Sequence, residues 1–194
     1  MIRSQLRPAI ALTVLFIVGT GLAYPAAVTG LAQLLFPRQA NGSLIVRNGK
    51  TIGSEWIGQQ FAGPVYFHAR PSAAGTGYDA TASGGTNKGP SDRKLADTLV
   101  AGAVAAAIAN DGATRGAVPA DYATSSASGL DPHISPANAA LQVARVARAR
   151  GVAPESVRTL VAQHTEQRQF GLLGEPRVNV LLLNLALDSL LRAP

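Results

Sequence analysis

The sequence predicts an α+β protein with one N-terminal transmembrane helix and, behind it, a single mixed extracytoplasmic domain with a small β part. Three observations predict this. From Ala9 to Leu35 there is no Asp, Glu, Lys, Arg or His. Asn48-Gly49 stands between two short β-prone runs. From Ser91 onward, apolar residues recur at helical spacing between recognisable start and stop residues.

The first run exceeds the roughly 20 apolar residues that cross a hydrocarbon core about 30 Å thick. A cleaved signal peptide is the competing reading, with Arg3 and Arg7 as its basic start. Against it, the run continues past Ala23, and no clear small-x-small cleavage site precedes Pro25. Pro25 removes a backbone donor inside the helix, and neighbouring helices can satisfy the freed carbonyl. Gly19, Gly21 and Pro25 are therefore candidate helix-contact residues. Arg3, Arg7 and the terminal amine precede the span, while Arg38 alone lies close behind it. The positive-inside rule then places residues 1–8 in the cytoplasm, 9–35 in the cytoplasmic (inner) membrane and 36–194 outside.

Ser43 to Gly53 reads as a hairpin, because Asn48-Gly49 tolerates the positive φ angles of a tight turn. Trp56, Ile57 and Phe61 stand at helical spacing before Gly63-Pro64, and Val65-Tyr66-Phe67 reads as a second strand region. Pro71 to Pro90 is a long Gly/Ser/Thr loop. Ser91 is the expected cap of a helix to about Asn110, with Leu95, Leu99 and Ala103 on one face. Ser135-Pro136 starts a helix that Gly151 ends, with Arg145, Arg148 and Arg150 near its negative end. Pro154 starts a shorter one with Val157, Leu160 and Val161 inward and His164 near its end. Val178 to Leu191 is apolar but too short to span a membrane. Arg177, Asn184, Asp188 and Arg192 form one stripe on it, which suits a core helix.

Composition narrows the function. The 194 residues carry a formal charge of +6, or +4 once Arg3 and Arg7 are set aside, but the cations are scattered. No basic run with interleaved aromatics points to nucleic acid. With no cysteine, disulfides, thiolate metal sites and a Cys nucleophile are excluded. The chain has no P-loop, no Asp-Lys-Thr-Gly phosphorylation core, no His-Glu-x-x-His and no Gly-x-Ser-x-Gly elbow. An anchored external hydrolase or binding domain is the alternative reading, and it lacks a nucleophile–base pair.

Three clusters remain. His68 and Arg70 lie in Tyr66-Phe67-His68-Ala69-Arg70-Pro71-Ser72, either as a packed strand end or as a lip for a partner. Ser83-Gly84-Gly85-Thr86-Asn87-Lys88-Gly89-Pro90 offers amides and hydroxyls to a phosphate or a partner backbone, or is a plain surface loop. Asp131 and His133 lie in Ser128-Gly129-Leu130-Asp131-Pro132-His133-Ile134-Ser135-Pro136; two such residues fall short of a metal site and suit turn and cap roles.

Taken with Gln163-His164-Thr165-Glu166 and Leu173-Gly174-Glu175-Pro176-Arg177-Val178-Asn179-Val180-Leu181-Leu182-Leu183-Asn184, these motifs resemble the C subunit of the bacterial Kdp potassium-transporting ATPase over essentially the whole chain. The resemblance implies a non-catalytic accessory subunit. It implies assembly with a channel-like potassium-binding subunit, a P-type ATPase subunit and a small fourth peptide, with ATP and potassium handled by those partners and no cofactor bound by this chain. It also implies a proposed chaperone role that raises the ATPase subunit's affinity for ATP. Ser83, Gly84 and Gly85 resemble part of the ABC-transporter signature, incomplete here because Ala82 precedes them and Thr86 follows. The topology puts that loop opposite the cytoplasmic ATP pool. His68, Arg70, Asp131 and His133 are the expected partner contacts on the domain.

Overall fold

The computed structural model describes residues 2–190 and divides into two units between Ile52 and Gly53, inside the second strand.

In the first unit, α1 (Ile2–Val18), a π-helical turn (Gly19–Ala23) and α2 (Tyr24–Leu35) follow one another without a break. Arg3–Leu35 is 33 helical residues, roughly 50 Å at 1.5 Å per residue, long and apolar enough to cross a membrane. The π turn answers the question posed by Pro25. Its ring would meet the carbonyl four residues back, and widening the preceding turn lets Tyr24 donate to Gly19 O instead. The chain thus stays helical across the proline. A short α3 (Pro37–Ala40) follows. β1 (Leu44–Arg47) and β2 (Lys50–Ser54) form the expected hairpin, with Asn48 at φ 52° and Gly49 at φ 75° in its turn.

The second unit is mainly helical. A helix beginning at Arg93 has a π-helical stretch (Leu95–Val100) and continues as α4 (Ala101–Asp111), ending at Gly112 in the left-handed region. Its cap is Asp92 rather than Ser91: the carboxylate Oδ1 accepts from Lys94 N at 2.8 Å, one residue further along than expected. After a short α5 (Ala120–Ala123) come β3 (His133–Ile134), α6 (Pro136–Arg150), α7 (Pro154–Gln163), β4 (Thr165–Glu166), β5 (Arg177–Asn179) and α8 (Val180–Leu190). The three strands form an antiparallel sheet in the order β3-β5-β4, with His133 opposite Asn179 and Glu166 opposite Arg177. Ser135 caps α6 by accepting from Asn138 N at 3.1 Å, and Gly151 at φ 66° ends it, both as expected.

Three further expectations are corrected. Trp56 to Phe61 is irregular, not helical, because Gly58 N donates to Leu130 O at 2.7 Å and ties the segment to a distant loop. Val178 lies in β5 and the last helix begins at Val180, where Asn179 Oδ1 caps it through Leu182 N. Leu191 and Arg192 lie outside the described residues. Arg148 and Arg150 stand in the last turn of α6 as expected, and Arg145 and Arg150 are in addition buried.

The third of these explains that burial. Val65–Phe67 joins no sheet. Five consecutive carbonyls, from Pro64 to His68, accept instead from side chains: Arg145 reaches Pro64 O and Tyr66 O, Arg150 Val65 O, Asn184 Phe67 O, and Gln142 His68 O. Asn184 Oδ1 and Gln142 Oε1 accept in return from Phe67 N and His68 N at 2.9 and 2.7 Å. Two carboxamides and two guanidinium groups thus replace a neighbouring strand, meeting the demand that buried backbone groups be paired. The guanidinium charges are met by Asp111 for Arg145 and Asp188 for Arg150, both at 2.7 Å. Around this segment packs the core: Phe67 with Val143, Val146 and Ala147 of α6, Val157, Leu160 and Val161 of α7, and Leu183 and Leu187 of α8. Asp188 and Asn184 do share one stripe of α8, as the spacing predicts, and it faces this segment.

Candidate functional site

The clamped segment runs straight into Arg70, so its fixed position fixes the guanidinium. Arg70 Nη1 meets Asp131 Oδ2 at 3.1 Å, and its other nitrogens donate to Thr124 O and Ser125 O. Asp131 Oδ1 accepts from His133 N at 3.0 Å and lies 3.4 Å from His133 Nδ1. Three of the sequence-predicted contact residues, Arg70, Asp131 and His133, therefore stand together. Burial works to raise the Asp131 pKa, but hydrogen bonds from His133 and the charge of Arg70 outweigh it and hold the carboxyl below its usual range. The His133 ring packs against Trp56, with centroids 6.1 Å apart, and its Nε2 is buried without a hydrogen-bond partner.

These residues edge an open cleft of about 450 Å³ shared with Asp121, Ser135, Glu175 and Arg177. Asp121 organises one wall: it accepts from Ser135 N, Ser135 Oγ and Asn138 Nδ2. Asp121 and Asp131 share this cleft, but Arg70 and Arg177 stand there with them. Asp79 is held by Thr81, and Asp92 pairs with Lys88 at 2.7 Å.

The glycine-rich loop closes on the same region. Gly84 N and Ser83 Oγ both donate to Ser128 O, at 2.9 and 3.0 Å. Gly85 lies so close to Ala127 that a Cβ there would stand 3.0 Å from its carbonyl oxygen. Ser72 Oγ donates to Gly129 O at 2.6 Å, and the Tyr78 hydroxyl donates to Arg70 O. Burial pushes the Tyr78 phenol up to about 12, so it stays a donor. Residues 70–78, 83–85 and 124–133 form one interlocked loop patch.

His68 stands apart from it. Its ring nitrogen Nε2 meets Gly63 O at 2.9 Å, and burial lowers its pKa more than that hydrogen bond raises it. Gly19, Gly21 and Pro25 belong to the other unit, where nothing lies within 4 Å of a Cβ built at either glycine. Sequence reasoning missed Trp56 as the ring over His133. It also missed Gln142 and Asn138, although two carboxamides four residues apart on the inward face of α6 were a readable signal.

One apolar helix long enough to span a bilayer among the described residues, followed by a small α+β unit whose polar groups are interlocked, fits a membrane-anchored protein. A family model described as "K+-transporting ATPase, c chain" matches residues 6–189. The potassium-transporting ATPase KdpC subunit of Gemmatimonas aurantiaca is 62% identical over 187 residues, covering 96% of this chain and 93% of that one. The KdpC subunits of Rhodospirillum rubrum and Koribacter versatilis are 58% and 54% identical, each over 95% or more of both chains. The chain belongs to the KdpC family.

Proposed function

We propose that this chain is the assembly subunit of its transporter. It joins the channel-like potassium-binding subunit to the P-type ATPase subunit and the small fourth peptide, with its N-terminus in the cytoplasm and its α+β domain outside. The observation that carries this reading is the interlocked loop patch. Gly84 N–H and the Ser83 hydroxyl are engaged by Ser128 O, and Arg70 by Asp131 and two carbonyls. Such a surface is suited to being a rigid contact face. It is poorly suited to cradling a phosphate, which needs amides free to turn toward the ligand. The charge flanks Arg3 and Arg7 support the orientation. An effect on ATP affinity then travels through the assembly, as a difference in this subunit's binding to two states of its partners.

The test is a mild-detergent pull-down of the tagged chain from potassium-starved cells, followed by ATP titration of whatever complex is recovered. Gly19→Leu with Gly21→Leu should lower recovery, because the space at both positions is open within this chain and only a neighbouring helix would be pushed away. Gly84→Ala with Gly85→Ala should leave the ATP concentration for half activity unchanged in the recovered complex. Full recovery of the first variant, or a raised ATP requirement in the second with assembly intact, refutes this reading.

A further inference from the structure

Between β4 and β5 the chain projects as an extended hairpin whose end is apolar and exposed. Phe170 is 92% exposed, Leu172 79% and Leu173 61%. Among the described residues from Gly53 onward, no other large apolar side chain is more than half exposed. The tip is nevertheless rigidly built. Gln169 and Leu173 exchange both backbone hydrogen bonds at 2.9 Å, and Leu172 N donates to Gln169 O. Arg168 pairs with Glu175 behind the tip, and Arg177 with Glu166 a rung further back.

The turn itself carries strain. Phe170 at φ 54° and Gly171 at φ 73° occupy the left-handed region. Asn or Gly suits the first position, whereas a bulky aromatic there is an outlier. The hairpin therefore holds a ring in open solvent, in a backbone conformation that disfavours it, where a glycine would make a better turn. Neither folding nor solubility accounts for that, and such strain recurs at contact sites.

We propose that the Phe170–Leu173 tip is a preformed anchor that inserts into an apolar socket on another subunit of the same transporter. A protein socket rewards a fixed, preorganised aromatic, whereas fluid lipid does not require one. Segments that bind bilayer surfaces also carry surplus cations. Here Glu166, Arg168, Glu175 and Arg177 cancel in two ion pairs. The proposal rests on the assembly reading above and adds to it the element that makes the contact.

The test places the photo-crosslinker p-benzoylphenylalanine at position 170 of the full chain, irradiates membranes and identifies the products after tagged purification. The expected product joins this chain to another subunit. A lipid adduct, a crosslink to a second copy of this chain, or no crosslink from a complex that purifies intact would overturn the proposal while leaving the assembly reading standing. If the unmodified chain recovers no partner subunit, the assembly reading falls and this one with it. As a second measurement, Phe170→Gly with Leu172→Ser should melt no lower than the parent chain, because the strained turn relaxes. It should bind its partners about thirtyfold more weakly, the loss expected for one aromatic anchor. A lower melt would show the tip to be structural, and unchanged recovery across a dilution series would show it to be idle; either overturns the proposal.

Discussion

Asn184 offers the sharpest test of the idea that side chains stand in for a strand. It is 1% exposed and bonds both the N–H and the carbonyl of Phe67 at 2.9 Å. Asn184→Leu keeps the volume apolar but leaves two backbone groups buried, since Phe67 is fully enclosed. An orphaned buried polar group costs about 1–3 kcal/mol, so the pair predicts a loss of roughly 4 kcal/mol. That is a large share of the ~5–15 kcal/mol that holds a domain together. At about 3 °C per kcal/mol for a domain near this size, the melting point should fall by around 12 °C. Asn184→Ala should fall at least as far, because a cavity is added to the same two orphans. The assay is urea or thermal unfolding of the full chain in detergent, followed through Trp56, the sole tryptophan. It lies in the α+β unit and packs on His133, so it reports that unit's transition. If Asn184→Leu melts within about 3 °C of the parent, the clamp is packing alone and the hydrogen-bond argument is wrong.

Two further outcomes follow from the patch. Gly129 has φ 66°, and a Cβ there would stand 2.6 Å from Gly84 O and 2.7 Å from Ala74 N. Gly129→Ala should therefore cost about 2–4 kcal/mol and open the 71–90 loop to limited proteolysis, while Gly84→Ala, with nothing within 4 Å, should stay within about 0.5 kcal/mol. Acidification should weaken the domain in two windows, because both His68 and Asp131 have folded pKa values below their unfolded ones. The contribution of neutral His68 is complete above histidine's ordinary 6.5 and is lost as pH falls through the depressed folded value; that of ionised Asp131 is complete above 3.8 and is lost below it in the same way. Urea midpoints measured from pH 8 to pH 3 should show both steps, with the upper one absent in His68→Gln and the lower one absent in Asp131→Asn.

How much of this was legible beforehand depended on whether the signal was local. The N-terminal apolar helix, the Asn48-Gly49 turn, the Ser135 cap, the Gly151 stop and the apolar face of α7 each follow from residues a few positions apart, and each is present in the structure. The strands β3, β4 and β5 are two or three residues long, too short for alternation to declare itself. Val65-Tyr66-Phe67 has the composition of a strand and is held as tightly as one. Its carbonyls and the Phe67 N–H are met by single side chains 79 to 117 residues away, which no periodicity announces. The same limit hid the joining of Arg70 to Asp131, separated by 61 residues, although both had been singled out.

That mode of holding has a consequence for the patch. A strand paired through backbone ladders can slip by two residues and keep its pattern of inward and outward side chains. The 64–68 segment cannot. Phe67 fills one enclosed site, and each neighbouring carbonyl meets a donor of fixed identity on α6 or α8. Because Arg70 follows two residues after His68, a register fixed in the core also fixes the guanidinium that gathers Asp131 and the carbonyls of Thr124 and Ser125. The chain has few aromatics with which to build a rigid interior, and polar clamps supply the specificity that bulk would otherwise give. A subunit that must offer a partner one fixed surface needs such a constraint, and here it runs from α8 through Phe67 to the face of the cleft.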